Sequence, residues 1–268
     1  MKKEFLIITL CIYLFSCQED SVKESTTIGT QDFLLAENLF NDVDRIIEEA
    51  FIYNGYYKNC PSYVNLNQDT SNLDTLIINF GNGDPDDCLL YGKERKGRII
   101  VTYNKNFRDS LSKLSITFDN YYINGYRIQG QRIIENKGRV NPNKYMYEIE
   151  LIGASIIGNG SINIESNMTK EWIQGYSNPE NLFDNIYSIT GTATGNSSNG
   201  INFQCNIIEE IIMDTKCRNQ NFCDLISGKA EFTPEGFSTR SINYGDSICN
   251  CNVEILLNEN VYHIIIPN

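Results

Sequence analysis

Apolar and polar residues change their spacing along this chain, and each change marks a different kind of element. Phe5 to Ser16 is an apolar run behind the basic pair Lys2 and Lys3. It falls short of the ~20 residues that carry a helix across a bilayer and is patterned like the core of a secretory signal. Gln18 to Thr30 is polar and without period, which suits a flexible tether over residues 17–30. From Asp32 to Ala50 the residues Phe33, Ala36, Phe40, Val43, Ile47 and Ala50 recur at three and four positions. That spacing predicts a helix whose apolar stripe packs on a sheet. Asp32 is suited to cap its start, and Asn54-Gly55 to end it.

Beyond Leu73 the period falls to two, the mark of half-buried strands. Leu76, Ile78 and Phe80 alternate with polar neighbours, as do Ile99, Val101 and Tyr103, then Tyr145, Tyr147, Ile149 and Leu151, then Ile201, Phe203, Cys205 and Ile207, and then Val253, Ile255 and Leu257. Roughly a dozen strands fit, joined by connections short enough for antiparallel neighbours. The expected fold is all-β: a large antiparallel meander forming a curved sheet or half-barrel, with one N-terminal helix, as a single domain over residues 31–268. A β-sandwich is the alternative.

Ser115 to Glu135 holds the clearest hairpin, turning at Asn124-Gly125, a pair that accepts the two positive φ angles of a type I′ turn. Tyr121, Ile123, Tyr126 and Ile128 share one face near the turn, whereas Ile116, Phe118 and Ile133 take the other phase farther out. A phase change within one strand predicts a bulge at Asp119-Asn120, with Gly130 across from it. Ile78-Asn79-Phe80-Gly81 leading to Cys88 and Ile242-Asn243-Tyr244-Gly245 leading to Cys249 are alike in order.

Charge narrows the partners. A formal net charge of −12 opposes nucleic-acid phosphates, so nucleic acid is not an expected partner. Nine cysteines have a different consequence: past Cys11 and Cys17 seven remain, an odd number, and in an oxidising compartment they favour disulfides. Cys60 is expected to pair with Cys88 and Cys223 with Cys249, each bridge joining segments that precede or begin β structure. Cys249 and Cys251, placed on one face of a continuous strand, would compete for a partner.

Catalytic motifs are sparse. His263 is the single histidine, set in an apolar strand pattern that reads as structural, and no catalytic residue is assigned. Neither a phosphate-cradling nor a dinucleotide glycine motif occurs, so no cofactor is expected. Cys217, Cys223, Cys249 and Cys251 have poor zinc spacing, and Asp84, Asp86 and Asp87 lack the spacing of a calcium loop, so no metal is assigned either. Tyr121, Tyr122 and Tyr126 beside the hairpin turn, and Trp172 near another strand end, are the candidate binding residues, aromatic groups able to stack on sugars or anchor a protein.

Leu14-Phe15-Ser16-Cys17 resembles a bacterial lipobox, in which the cysteine is acylated and becomes the mature N-terminus. Glu19-Asp20, directly behind it, resembles an export tag of some Bacteroidota lipoproteins. Further stretches resemble a group of uncharacterised lipoproteins of the Bacteroidota: Phe80-Gly81 to Cys88, Gly92 to Ile99 (GKERKGRI), Thr117 to Gly125 (TFDNYYING), Phe183 to Gly195 (FDNIYSITGTATG) and Asn243 to Asn252 (NYGDSICNCN). Cys251 stands where that pattern has Asn. The resemblance implies a lipid anchor at Cys17 and placement at the outer membrane facing outward, with a periplasm-facing lipoprotein as the alternative; it implies no activity. The expected role is a non-enzymatic binding or assembly module whose partners are membrane lipid through the anchor and a glycan or outer-membrane protein. A carboxylate-based glycan hydrolase and an accessory subunit of an outer-membrane transporter are the alternatives.

Overall fold

A computed structural model describes residues 27–52, 60, 62–66, 73–83, 88–142, 144–178, 180–220 and 223–267. The apolar run over residues 5–16, Cys17, most of the tether, Asn54-Gly55 and the three aspartates at 84, 86 and 87 lie outside the described residues. Helix α1 (Ile28–Ile52) precedes strands β1 (Ser62–Leu66), β2 (Asp74–Asn79), β3 (Cys88–Leu90), β4 (Lys93–Tyr103), β5 (Lys113–Ile123), β6 (Tyr126–Asn141), β7 (Lys144–Ile157) and β8 (Ser161–Gln174). There follow β9 (Ile186–Asn196), β10 (Asn202–Asp214), a 3₁₀ turn (Thr215–Gln220), β11 (Leu225–Pro234), β12 (Arg240–Asp246), β13 (Asn252–Leu257) and β14 (Asn260–Ile265). None of the helices described is long and apolar enough to cross a membrane.

All strands belong to one antiparallel sheet in sequence order, an open meander with β3 hanging from β4. One sheet leaves no second layer for a sandwich. What fills its concave face is α1, which touches strands far apart in the order: Phe40 meets Phe118 of β5, whereas Phe33 meets Phe203 of β10 and Phe232 of β11. A flat sheet cannot reach both sides of one helix, so the sheet curls around it.

The curl has a local cause in β4 to β7. The pairing of β5 with β6 breaks register between Thr117 and Tyr122, where Asn120 takes a φ of 48°. On the facing strand Gly130 sits at φ 105°, and a Cβ there would lie 2.5 Å from Ala154 Cα. Gly97 of β4 approaches the Asn120 carbonyl still more closely, so a side chain at either glycine would force the strands apart. The Asn124-Gly125 turn has both residues at positive φ, and Ile123 faces Tyr126 across it, as the spacing predicts.

Helix α1 starts earlier than the stripe suggests. Its first turn contains Ile28 to Gln31, with Gln31 N–H donating to the Thr27 carbonyl at 2.9 Å. Asp32 therefore does not cap the helix but lies within it, and its carboxylate accepts the Ser198 N–H at 2.7 Å. The tether expected through residue 30 gives way to helix because the trough buries Thr30 and seats Gly29 against Phe232, so tertiary packing extends the element beyond its local signals.

Three disulfides staple the margins of the sheet. Cys60 is bonded to Cys88, the pairing expected from sequence. Cys223 is bonded to Cys251 and not to Cys249, which pairs with Cys217. The expectation fails because Cys249 and Cys251 occupy the bend between β12 and β13 and not a strand. Alternation does not put them on one face there, and each reaches its own partner. Cys205, buried on β10, is the free thiol among the described residues.

Candidate functional site

Burial encloses α1 on nearly every side, including the face that carries its charges. Asp42, Asp44, Arg45, Glu48 and Glu49 are all buried, and ions so placed require partners. The strands supply them. Asp42 receives a two-pronged bond from Arg95 of β4 at 2.6 and 3.0 Å and faces a second cation, Lys93, at 3.3 Å. Asp44 is gripped in the same way by Arg132 of β6, at 2.7 and 2.8 Å. Glu48 accepts from Arg108 at 2.8 Å and from the Tyr187 hydroxyl at 3.3 Å, and Arg218 stands 3.9 Å away, itself bound to Asp224 at 2.7 Å. On α1 itself Arg45 and Glu49 pair at 2.8 Å, and Arg45 stacks 3.4 Å over the Tyr91 ring.

These contacts set the protonation states. Burial alone would raise the Asp42 carboxyl, but Arg95 and Lys93 outweigh it and hold the group down at about 2. Glu48 is lowered likewise, burial being overcome by Arg108, Lys170 and Arg218. Glu37, a little more than one turn before Asp42, makes no ion pair among the described residues: burial pushes its carboxyl up to about 7, against the opposing hydrogen bond that the Tyr244 hydroxyl donates to it. Lys170 of β8 is the odd cation. It is 8% exposed, makes no ion pair among the described residues, and lies with its ammonium 4.2 Å from the centroid of the Tyr187 ring. Burial pulls its pKa down against the attraction of Asp44, Glu48 and Asp224, and nearby Arg218 adds to the lowering.

Two spaces adjoin this network. A cavity of about 40 Å³ runs between α1 and the concave face of β6 to β11, lined mainly by apolar groups such as Phe33, Phe40, Leu151 and Met168, with Glu37, Asn41, Arg132, Ser166 and Lys170 as its polar boundary. A polar cleft of about 130 Å³ opens beside the same helix, where the Tyr91-Gly92 turn, Asn124 and the Cys223–Cys251 disulfide converge. Asn41 lines both spaces, while Arg45, Lys93 and Arg218 line the cleft. Tyr91 holds a φ of 55° there, an unusual conformation for a bulky residue, next to Gly92 at 71°.

The four aromatic residues singled out from sequence part company. Tyr121 is 0% exposed and accepts a 3.0 Å bond from Arg95, so it supports the ion cluster and presents no surface. Trp172 is 3% exposed, donates its indole N–H to Asn185 and stacks with Tyr187. Both correct the expectation of exposed anchors: each stands on an inward position of its strand, where the trough and not the solvent receives it. Tyr122 is partly exposed, with the Lys96 ammonium 4.6 Å from its ring. Tyr126 is partly exposed and borders an open hollow of about 430 Å³ near the start of α1, with Asp32 and Ser198 on its other wall.

His263 lies on the outer face of edge strand β14 beside Glu254, 3.6 Å away. Cys217, Cys223, Cys249 and Cys251, the four thiols considered for zinc, are consumed in two disulfides. The residues that sequence reasoning missed are Arg95, Arg132 and Lys170. Their signal was phase: Arg95 keeps step with Ile99 and Val101, Arg132 with Ile134, and Lys170 with Trp172, so each charge occupied an inward register. Compared with family models, curated proteins and solved structures, the chain gives no match, so the site is read from its own geometry.

Proposed function

We propose that this chain is an exported, lipid-anchored binding module of the cell envelope, held by an acylated Cys17 and acting without catalysis. Two observations support it. Three disulfides among the described residues fit an oxidising compartment. The observation that carries binding is the polar cleft beside α1, whose walls are a disulfide, a turn and a helix, all fixed by buried contacts, so the space is formed in advance of any ligand. The carboxylates that line it, Asp42 and Asp224, are each committed to arginine or lysine partners.

The test is retention of the Cys17→Ser chain on immobilised envelope glycans and on outer-membrane extracts, alongside turnover assays on the same glycans. Saturable retention without turnover is the expected result. Turnover without stable retention would replace this reading with that of a hydrolase. Incorporation of labelled fatty acid should occur in the wild type and vanish in Cys17→Ser, because serine offers no thiol for acyl transfer; unchanged labelling would remove the anchor.

A further inference from the structure

Strand β14 leaves the sheet with an open edge. It pairs with β13 and with no other described strand. The ladder to β13 runs one step past its end, where the Ile266 N–H donates to the Cys251 carbonyl at 2.8 Å. Antiparallel partners alternate between bonded and non-bonded pairs. Ile264, Tyr262 and Asn260 therefore spend their backbone groups on β13, while those of Val261, His263 and Ile265 point out of the sheet. An edge of this kind is a template for another strand, and proteins commonly blunt it with charge, proline or a bulge. Strand β14 has none of these: Asn260 to Ile266 holds no acid, lysine, arginine or proline, and its register with β13 is unbroken. Pro267 follows the strand, and its carbonyl accepts from Asn38 of α1. The core is open at this edge too. Val253, Ile255 and Leu257 of β13 are buried, whereas Tyr262 and Ile264, on the same inward face, stay partly exposed. On the outer face Val261 and Ile265 are 53% and 71% exposed.

We infer that β14 pairs antiparallel with β14 of a second copy of this chain, about a two-fold axis at His263. The strand is self-complementary about that residue: Val261 of each copy faces Ile265 of the other, Tyr262 faces Ile264, and His263 meets His263. The outward backbone groups lie at the positions this register joins, so about six hydrogen bonds form. Moving the axis to Ile264 would set Val261 against Pro267, which has no N–H, and moving it to Tyr262 would set Ile265 against Glu259 in the turn. Charge permits the approach. The acids of β13, β14 and their turn are Glu254, 3.6 Å from His263, and Glu259. Across the joined sheet the two Glu254 residues stand three strand spacings apart, about 14 Å, and the two Glu259 residues about 26 Å apart along the strands. Both separations exceed the screening length of about 8 Å at physiological salt. A contact that uses the same strand on both copies closes as a dimer and does not propagate. One strand pair is smaller than a standard interface, and a net charge of −12 on each chain opposes it, so the dimer dissociates on dilution.

The inference depends on neither the anchor nor the cleft. Its test is cysteine cross-linking of the full chain in intact cells under mild oxidation, read by non-reducing electrophoresis. His263→Cys sets two thiols opposite each other and should give a covalent dimer. Val261→Cys alone should give none, because four residues of strand, about 13 Å, exceed the reach of a disulfide. Val261→Cys and Ile265→Cys expressed together should cross-link to each other. In sedimentation of the Cys17→Ser chain, His263→Asp brings two carboxylates face to face, each beside Glu254. It should raise the concentration for half-dimerisation at least tenfold and leave the melting temperature of the dilute monomer unchanged, since the His263 side chain is 75% exposed. A monomer at every concentration, equal cross-linking of His263→Cys and Val261→Cys, assembly beyond a dimer, or a dimer indifferent to His263→Asp would each overturn the inference. Retention on envelope material is measured apart from these results, and the binding function stands or falls on it alone.

Discussion

The two halves of α1 are equally buried and are held by opposite means. From Phe33 to Phe40 the helix is apolar on most of its circumference, and Phe33, Leu34, Leu35, Ala36, Leu39 and Phe40 all disappear into the trough. From Asp42 to Glu49 the same helix buries five charged residues, and the surrounding strands answer with arginine and lysine. The first half gains by removing apolar area from water, a force without direction. The second half gains less from burial, since desolvating each ion opposes the Coulomb attraction, but its two-pronged bonds fix one rotation and one depth of the helix. Packing holds the helix in the trough, and the ion pairs select its register.

Substitutions sharpen this contrast in decreasing order of effect. Asp42→Asn strands Arg95 and Lys93 without their anion and should cost about 3–5 kcal/mol in chemical denaturation at neutral pH; a loss below about 1 kcal/mol would mean the cluster is hydrated and not buried. Leu39→Ala, in the apolar half, should cost about 2–5 kcal/mol by cavity formation. Salt should leave this second loss unchanged, because no charge is involved. Removing both partners of a buried pair, Asp44→Leu with Arg132→Met, should come out near neutral, in contrast with the loss from Asp44→Asn alone, and a double variant as unstable as the single one would contradict the selection role assigned to the pair.

Glu37 is the acidic residue inside the apolar half and gives the comparison a pH axis. Its carboxyl titrates near 4.5 when unfolded and at about 7 in the folded chain, where burial raises it. The folded state therefore holds more protons between those values, so its stability contribution is full below pH 4.5 and is lost as pH rises to 7. Glu37→Gln should flatten this part of the stability profile and stabilise the chain at pH 8 by about 1–3 kcal/mol, leaving pH 4 little changed. Asp42 behaves in the opposite sense: its contribution is present above pH 3.8 and fades only as pH falls through about 2. An unaltered profile in Glu37→Gln would show that the group stays hydrated. The smallest effect is expected for Lys170→Met, neutral to slightly stabilising.

Much of this architecture was legible because alternation reports which face a residue occupies. The meander, the Asn124-Gly125 turn, the bulge at Asn120 and the Cys60–Cys88 bridge follow from local patterns. The similar stretches at Ile78 and Ile242 also fold alike: Asn79 accepts the Gly81 N–H, Asn243 accepts the Gly245 N–H, and Phe80 and Tyr244 both point inward. The ion cluster was hidden by a reasonable assumption, that charges on the face opposite an apolar stripe meet water. A trough that closes around the helix removes that water, and nothing in α1 alone announces the closure. Arg95 and Arg132, charged yet in phase with apolar neighbours, were the visible trace. Tyr121 and Trp172 were misplaced for the same reason, because an aromatic residue near a turn is exposed on a flat sheet and enclosed on a curled one.

Amide hydrogen exchange along α1 tests the central claim, that the helix is the core of the trough and not a cover laid across it. Amides from Leu34 to Glu48 should exchange as slowly as those of the central strands β6 to β8 and open only with global unfolding. In Asp42→Asn, α1 and sheet should lose protection together, because the helix cannot leave while the sheet persists. Fast exchange confined to α1, with the strands still protected, would show a helix that detaches on its own and would contradict the account.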